Sequence, residues 1–183
     1  NAYRYENGRE LWGDALARTS ITMSVSTLSD IDADPVIDRG RVYAIGQGGR
    51  MASYELVSGQ RIWELNIAGV STPWVAGEWV FVLTDDDRIL CITRGTGKLR
   101  WIGQLPRWRN EEDKKGPIRW NGPLLAGGRL IAVGSNGQLA QISTADGSLT
   151  SMTELSGPTH LAPLVANNML YVMDDSGRIT AWR

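Results

Sequence analysis

The chain is poor in the residues that most catalysis depends on. It has one cysteine, Cys91, and one histidine, His160, in 183 residues. A single cysteine excludes an internal disulfide framework and any multi-cysteine zinc site. A single histidine excludes most histidine-based metal and acid–base centres. No run approaches the ~18 apolar residues of a membrane-spanning helix. There is no excess of one charge either: 19 Lys plus Arg against 20 Asp plus Glu leave a net charge of −1. Nucleic-acid binding, which wants a basic face, therefore has no general support. Phenylalanine is nearly missing as well, at one residue.

What is abundant is glycine, at 21 residues, and tryptophan, at eight. The glycines point to many tight turns. The tryptophans recur at a fixed place in a repeat. Asp34 to Leu65 reads DPVIDRGRVYAIGQGGRMASYELVSGQRIWEL, and the stretches from Thr72, Gly122 and Ala162 follow the same frame. A proline opens each unit, at Pro35, Pro73, Pro123 and Pro163. A hydrophobic run follows, then a turn, then a short alternating strand and a glycine turn at Gly59, Gly97 or Gly147. Four residues beyond that glycine stands Trp63 or Trp101, and Ser151 in the third unit. Gly8 and Trp12 fit the same spacing, so the chain begins with the end of a unit.

Each unit thus holds four short runs of strand period separated by Gly, Asp or Asn turns. A repeat of about 40 residues with four strands has the size of a β-propeller blade. The expected fold is all-β, a propeller of four-stranded antiparallel blades. The expected divisions are a partial blade at 1–13, blades near 34–66, 72–105 and 122–155, and an incomplete blade near 162–183. The incomplete ends suggest the C-terminal half of a larger ring, either a fragment or a half-ring that pairs with a second copy. The repeated tryptophan is expected to pack between neighbouring blades.

Two long connectors interrupt the spacing, Gly13 to Asp34 and Ile102 to Asn121. Both fall between the last strand of one blade and the first of the next. Equivalent connectors emerge on one face of a ring, so both are expected to decorate the same mouth. The second contains PRWRNEEDKKGPIRW, where Arg107, Trp108, Arg109 and Trp120 combine the cations and aromatics that protein interfaces favour. Glu111, Glu112 and Asp113 offset the charge, which argues for a protein contact or simple loop packing over nucleic acid. The first contains Asp30, Asp32 and Asp34, which resemble the start of a calcium loop. Pro35 and Arg41 stand where that loop needs Gly and Glu, so no high-affinity calcium site is expected. Gly95-Thr96-Gly97-Lys98 resembles the end of a phosphate-binding loop but lies between two strands and lacks the remaining glycine. Cys91, within Ile89-Leu90-Cys91-Ile92, reads as a buried, inert thiol. His160 reads as an ordinary loop histidine.

With the repeats in place, the unit ending Ser58-Gly59-Gln60-Arg61-Ile62-Trp63 resembles the quinoprotein-type propeller repeat. The stretch Leu28 to Ile37 and the ending Asp175 to Arg183 are similar to the BamB family of outer-membrane β-barrel assembly lipoproteins. That resemblance covers essentially the whole chain. It implies an eight-bladed propeller in the periplasm, peripheral to the inner leaflet of the outer membrane, touching the membrane only through an N-terminal lipid. It implies no catalysis and no cofactor. It implies a scaffold that binds the POTRA domains of BamA, with Asp30 and Asp32 in the contact, and that helps deliver unfolded outer-membrane proteins. Two alternatives stay open: a quinone-dependent dehydrogenase-like propeller, and a generic protein-interaction propeller.

Overall fold

The computed structural model describes residues 1–16 and 32–183. Strands and turns make up the ordered elements, with no helix among the described residues. The chain opens with a two-stranded hairpin, β1 (Ala2–Tyr3) and β2 (Glu10–Trp12). A first sheet follows: β3 (Val36–Asp38), β4 (Arg41–Gly46), β5 (Arg50–Glu55) and β6 (Arg61–Leu65). The second comprises β7 (Trp74–Ala76), β8 (Trp79–Leu83), β9 (Arg88–Thr93) and β10 (Leu99–Gln104). A small hairpin, β11 (Trp108–Asn110) and β12 (Lys115–Pro117), separates it from the third. The third sheet is β13 (Trp120–Ala126), β14 (Arg129–Gly134), β15 (Gln138–Ser143) and β16 (Leu149–Glu154). The fourth has three strands, β17 (Leu164–Ala166), β18 (Met169–Met173) and β19 (Ile179–Trp182).

In every sheet, consecutive strands are antiparallel neighbours. Tight turns make this meander. Gly59, Gly97 and Gly147 sit at φ of 71°, 69° and 77°, in the left-handed region that side chains resist. These three are the glycines that precede the fourth strand of the first three sheets.

The core lies between sheets. The second and third strands of each sheet turn alternate residues to opposite faces. Tyr43, Ile45 and Met51 of the first sheet pack on Val80, Val82, Leu90 and Ile92 of the second. Phe81, Leu83, Ile89 and Cys91 of the second pack on Leu130, Ala132, Ala140 and Ile142 of the third. Ile131, Val133 and Leu139 of the third pack on Val172, with Leu170 and Trp182 beside it, in the fourth. One hydrophobic interface is therefore repeated three times.

The tryptophans lock it. The indole N–H of Trp12 donates to the Leu56 carbonyl at 2.9 Å, that of Trp63 to Arg94 at 2.9 Å, and that of Trp101 to Thr144 at 3.0 Å. Each acceptor lies on the following sheet, three residues before its turn glycine. A Cβ on Gly59, Gly97 or Gly147 would fall between 2.5 and 2.9 Å from the indole. Only glycine lets the backbone come that close to the ring.

Two sequence expectations need correction. The connector from Ile102 to Asn121 is not one long loop. Strand β10 runs on to Gln104, β13 starts at Trp120, and the intervening residues form the β11–β12 hairpin. Residues 102–104 and 120–121 keep ladder partners on β9 and β14, and the Glu111-Glu112-Asp113 run supplies the hairpin's turn. Nor does proline open every unit from outside the strand. Pro35, Pro73 and Pro163 each precede one, but Pro123 lies inside β13, where the register with β14 shifts between Asn121 and Leu124. An edge strand with such an irregularity tolerates the missing N–H.

Candidate functional site

The turns between the second and third strands, and the connectors between sheets, converge around an open cavity of about 460 Å³. Gln47 comes from the first sheet, Asp85 and Asp87 from the second, Arg107 and Trp108 from the β11–β12 hairpin, and His160 from the connector to the fourth sheet. Four separate stretches of chain thus meet at one mouth.

The hairpin is held from both sides. Within it, Glu111 Oε1 accepts the backbone N–H groups of Arg107 at 2.8 Å and Trp108 at 3.2 Å. The Arg107 guanidinium lies 3.6 Å from Asp87 on the second sheet. Arg109 donates to the Ser135 carbonyl of the third sheet at 2.9 Å. Trp108 is half-buried and lines the cavity, and Arg109 is exposed. Trp120 is different. It is 5% exposed, sits in the core between the second and third sheets, and donates its indole N–H to the Pro106 carbonyl at 2.7 Å. It packs beneath the hairpin and is also part of the cavity lining. Its place at the start of β13 explains the burial, because a strand residue facing a neighbouring sheet is buried whatever its chemistry.

The other connector reaches the same side. Ala33 is buried, at 4%, in the core between the first and second sheets, and flanking Asp32 and Asp34 are exposed. The Asp34 N–H donates to Thr72 Oγ1 at 3.1 Å, next to Val70 and Ser71 of the cavity wall. One apolar anchor thus presents a carboxylate on either side. Asp30 lies outside the described residues.

The Asp85-Asp86-Asp87 turn went unrecognised as part of this site in the sequence, where it read only as a hairpin turn. Burial pushes the Asp87 carboxyl up to about 6; Arg107 opposes that, and Asp86 and Asp85 add to it. Burial also raises Asp85, with Asp86 beside it. The signal that could have found them was register, since the turn occupies the same place as Gln47 in the preceding unit. His160 Nδ1 lies 2.9 Å from Asp175, a pairing across 15 residues that no local motif announces. Among the described residues no group of three or more His, Cys, Asp or Glu is placed to hold a metal ion. Cys91 is 1% exposed, and burial pushes its thiol up to about 11.

Repeated antiparallel sheets, with an indole–carbonyl bond at the junctions where the repeat carries its tryptophan, define a β-propeller with quinoprotein-like repeats. The chain belongs to the family described as outer membrane protein assembly factor BamB, whose model matches residues 1–103 and 106–182. The BamB of Yersinia pestis is 27% identical over 100% of this chain and 44% of its own length. The crystal structure of BamB from Moraxella catarrhalis superposes with a TM-score of 0.75 at 20% identity, covering 96% of this chain and 48% of that one. The computationally designed Ika4 protein matches with a TM-score of 0.66 at 12% identity, over 93% of this chain and 98% of its own. The chain therefore spans under half the length of the curated relatives it matches.

Proposed function

We propose that this chain is a non-catalytic scaffold part of the machinery that assembles β-barrel proteins into the outer membrane. It works in the periplasm, at the inner leaflet of that membrane, and docks the POTRA domains of BamA through the rim of the mouth. Unfolded outer-membrane proteins are its clients. The observation that carries this reading is the family match, which runs through all four sheets and both connectors. Relatives across the family are named as assembly factors rather than as enzymes, which supports a binding role.

The rim has the chemistry for such a contact. Asp32 is exposed, next to a buried alanine that fixes the backbone. A partner arginine can meet it with charge-assisted hydrogen bonds. Arg107 and Arg109 offer the opposite charge, and half-buried Trp108 offers a rigid aromatic surface, the combination that dominates binding energy at interfaces. Trp120 serves from beneath, by holding the hairpin that presents them.

The test is binding of the complete parent protein to purified POTRA domains. The Asp30→Arg plus Asp32→Arg variant, with its circular dichroism unchanged, is expected to lose most of the affinity, because truncating or reversing a desolvated charge costs a few kcal/mol. Trp108→Ala is expected to weaken binding about 10-fold or more. Undiminished binding by both variants would remove the contact from this rim. Failure of the unaltered protein to bind would overturn the proposal.

A further inference from the structure

The turns that join the second strand to the third share one geometry in all four sheets. The last turn residue donates its N–H to a carbonyl three residues back: Gly49 to Gly46, Asp87 to Thr84, Gly137 to Gly134 and Gly177 to Asp174. These four residues lie in the left-handed region, at φ of 85°, 62°, 79° and 82°. Three are glycine, as that conformation favours. The second sheet alone carries a side chain there, and it is an aspartate. The exception costs the fold twice. A residue with a Cβ is strained at that φ. The carboxylate is also only 15% exposed, and burial pushes it up to about 6.

The same sheet is followed by the β11–β12 hairpin, the one insertion of its kind between sheets among the described residues. The turn is tied to that segment at two points. The Asp87 carbonyl accepts the Leu105 N–H at 2.9 Å, and the Asp87 carboxylate lies 3.6 Å from Arg107 Nε. The second contact is made at Nε, so it leaves the two terminal nitrogens of the guanidinium for another anion. Arg107 is half exposed and lines the mouth cavity with Trp108, Arg119 and His160. An arginine held at one side and open at its fork suits bidentate recognition of a carboxylate. The other charges around Asp87 are engaged differently. Asp85 and Asp86 share its turn and repel it, Arg88 pairs with Asp86 at 3.1 Å, Arg119 attracts Asp85, and His160 lies 2.9 Å from Asp175.

We propose, on the docking reading above, that Asp87 is a positioning residue: it holds Arg107 by Nε so that the free end of the guanidinium meets an Asp or Glu side chain of the docking domain. The strain and burial at Asp87 are then the cost of aiming the inserted hairpin. Proton uptake by Asp87 releases Arg107, so docking is tight above about pH 6 and weakens as pH falls through it.

The test is the affinity of the complete parent protein for purified POTRA domains at pH 7.5 and pH 5. Asp87→Gly installs the residue that the other three sheets carry, so it should melt no lower than the unaltered protein. It should nonetheless weaken docking about 10-fold at pH 7.5. The ratio of the two affinities cancels titration on the partner, and it should fall from about 10 at pH 7.5 to about 1 at pH 5. Arg107→Gln should weaken docking as well, and adding Asp87→Gly to it should change nothing more. Arg107→Glu should weaken docking further than Arg107→Gln, because it repels a carboxylate. An Asp87→Gly protein that docks as tightly as the unaltered one overturns the proposal, and so does a ratio that is the same at both pH values. A further loss from Asp87→Gly in the Arg107→Gln background would mean that Asp87 touches the partner itself, and overturns it too. Docking tightened by Arg107→Glu would mean a cation on the partner, with the same consequence. Failure of the unaltered protein to dock at either pH overturns the docking reading first and this inference with it.

Discussion

Arg94 is a charge buried between two sheets, and its removal should be cheaper than the removal of its partner. The residue follows β9, and its side chain is 7% exposed. Its guanidinium meets the Asp38 carboxylate of the first sheet at 2.6 Å and the carbonyls of Gly77 and Asp38 at 3.0 and 3.3 Å. Its own carbonyl accepts from Trp63 at 2.9 Å and Arg41 at 2.8 Å. The junction of the first and second sheets is therefore organised around it. Breaking a fully buried pair by deleting one partner costs about 3–5 kcal/mol, because the other charge stays desolvated. The Asp38 side chain is 37% exposed, so water screens the pair and lowers that figure. Asp38→Ala should cost about 2 kcal/mol, or roughly 4–8 °C in Tm for a chain of this size. Arg94→Met removes the buried charge, keeps an apolar stem and frees Asp38 to reach solvent, so it should cost about 1 kcal/mol. The double variant should resemble Arg94→Met rather than the sum of both. Urea unfolding by linear extrapolation resolves these differences. If Arg94→Met costs more than Asp38→Ala, or if the two costs add, the reasoning from desolvation fails.

The turn glycines and the acidic turn make further predictions. Gly97→Ala brings a Cβ to 2.9 Å from the Trp63 ring at a φ of 69°, so it should cost about 2–4 kcal/mol by overpacking and backbone strain together. Gly49→Ala, at φ 85° with nothing within 4 Å, carries the strain alone and should cost about 1 kcal/mol; equal losses in denaturant melts would refute the docking role of Gly97. Asp87 has a folded-state value near 6 against the usual 3.8, so the folded protein holds its proton more tightly than the unfolded chain. That contribution to stability is complete below about pH 4 and is lost as pH rises through about 6, amounting to at most about 3 kcal/mol and less once solvent screening of this partly buried group is counted. Asp87→Asn should therefore stabilise the protein at pH 7.5 and not at pH 4; an equal effect at both would contradict the burial of that carboxyl.

Much of this fold is written in local periodicity. Strand runs, turn glycines and the Gly-x-x-x-Trp spacing are short-range features, and they placed the sheets and the role of Trp63 and Trp101 between them. The hairpin within the long connector was less visible, because Trp108–Asn110 and Lys115–Pro117 carry no apolar alternation. The site was legible only in part. Arg107, Trp108 and Trp120 line the mouth, and residue types common in interfaces marked them out; Arg109 lies outside that lining, bonded to Ser135. Trp120 has the same residue type and a different fate, since exposure depends on what faces it and not on what it is. Asp85 and Asp87 join the mouth because sheets pack side by side, and His160 finds Asp175 because a connector folds back over a turn.

Local pattern is enough to make this chain a repeat of four-strand antiparallel sheets, because a period of two and a turn every few residues are properties of neighbouring residues. It also determined which tryptophans and glycines form the junctions, because both sit in a fixed frame. Which apolar faces are covered, that Arg94 is buried, and that four distant segments line one open cavity emerge only once the sheets are stacked. Those depend on the stacking of one sheet on the next, and stacking brings together residues that the chain keeps 31 to 56 positions apart.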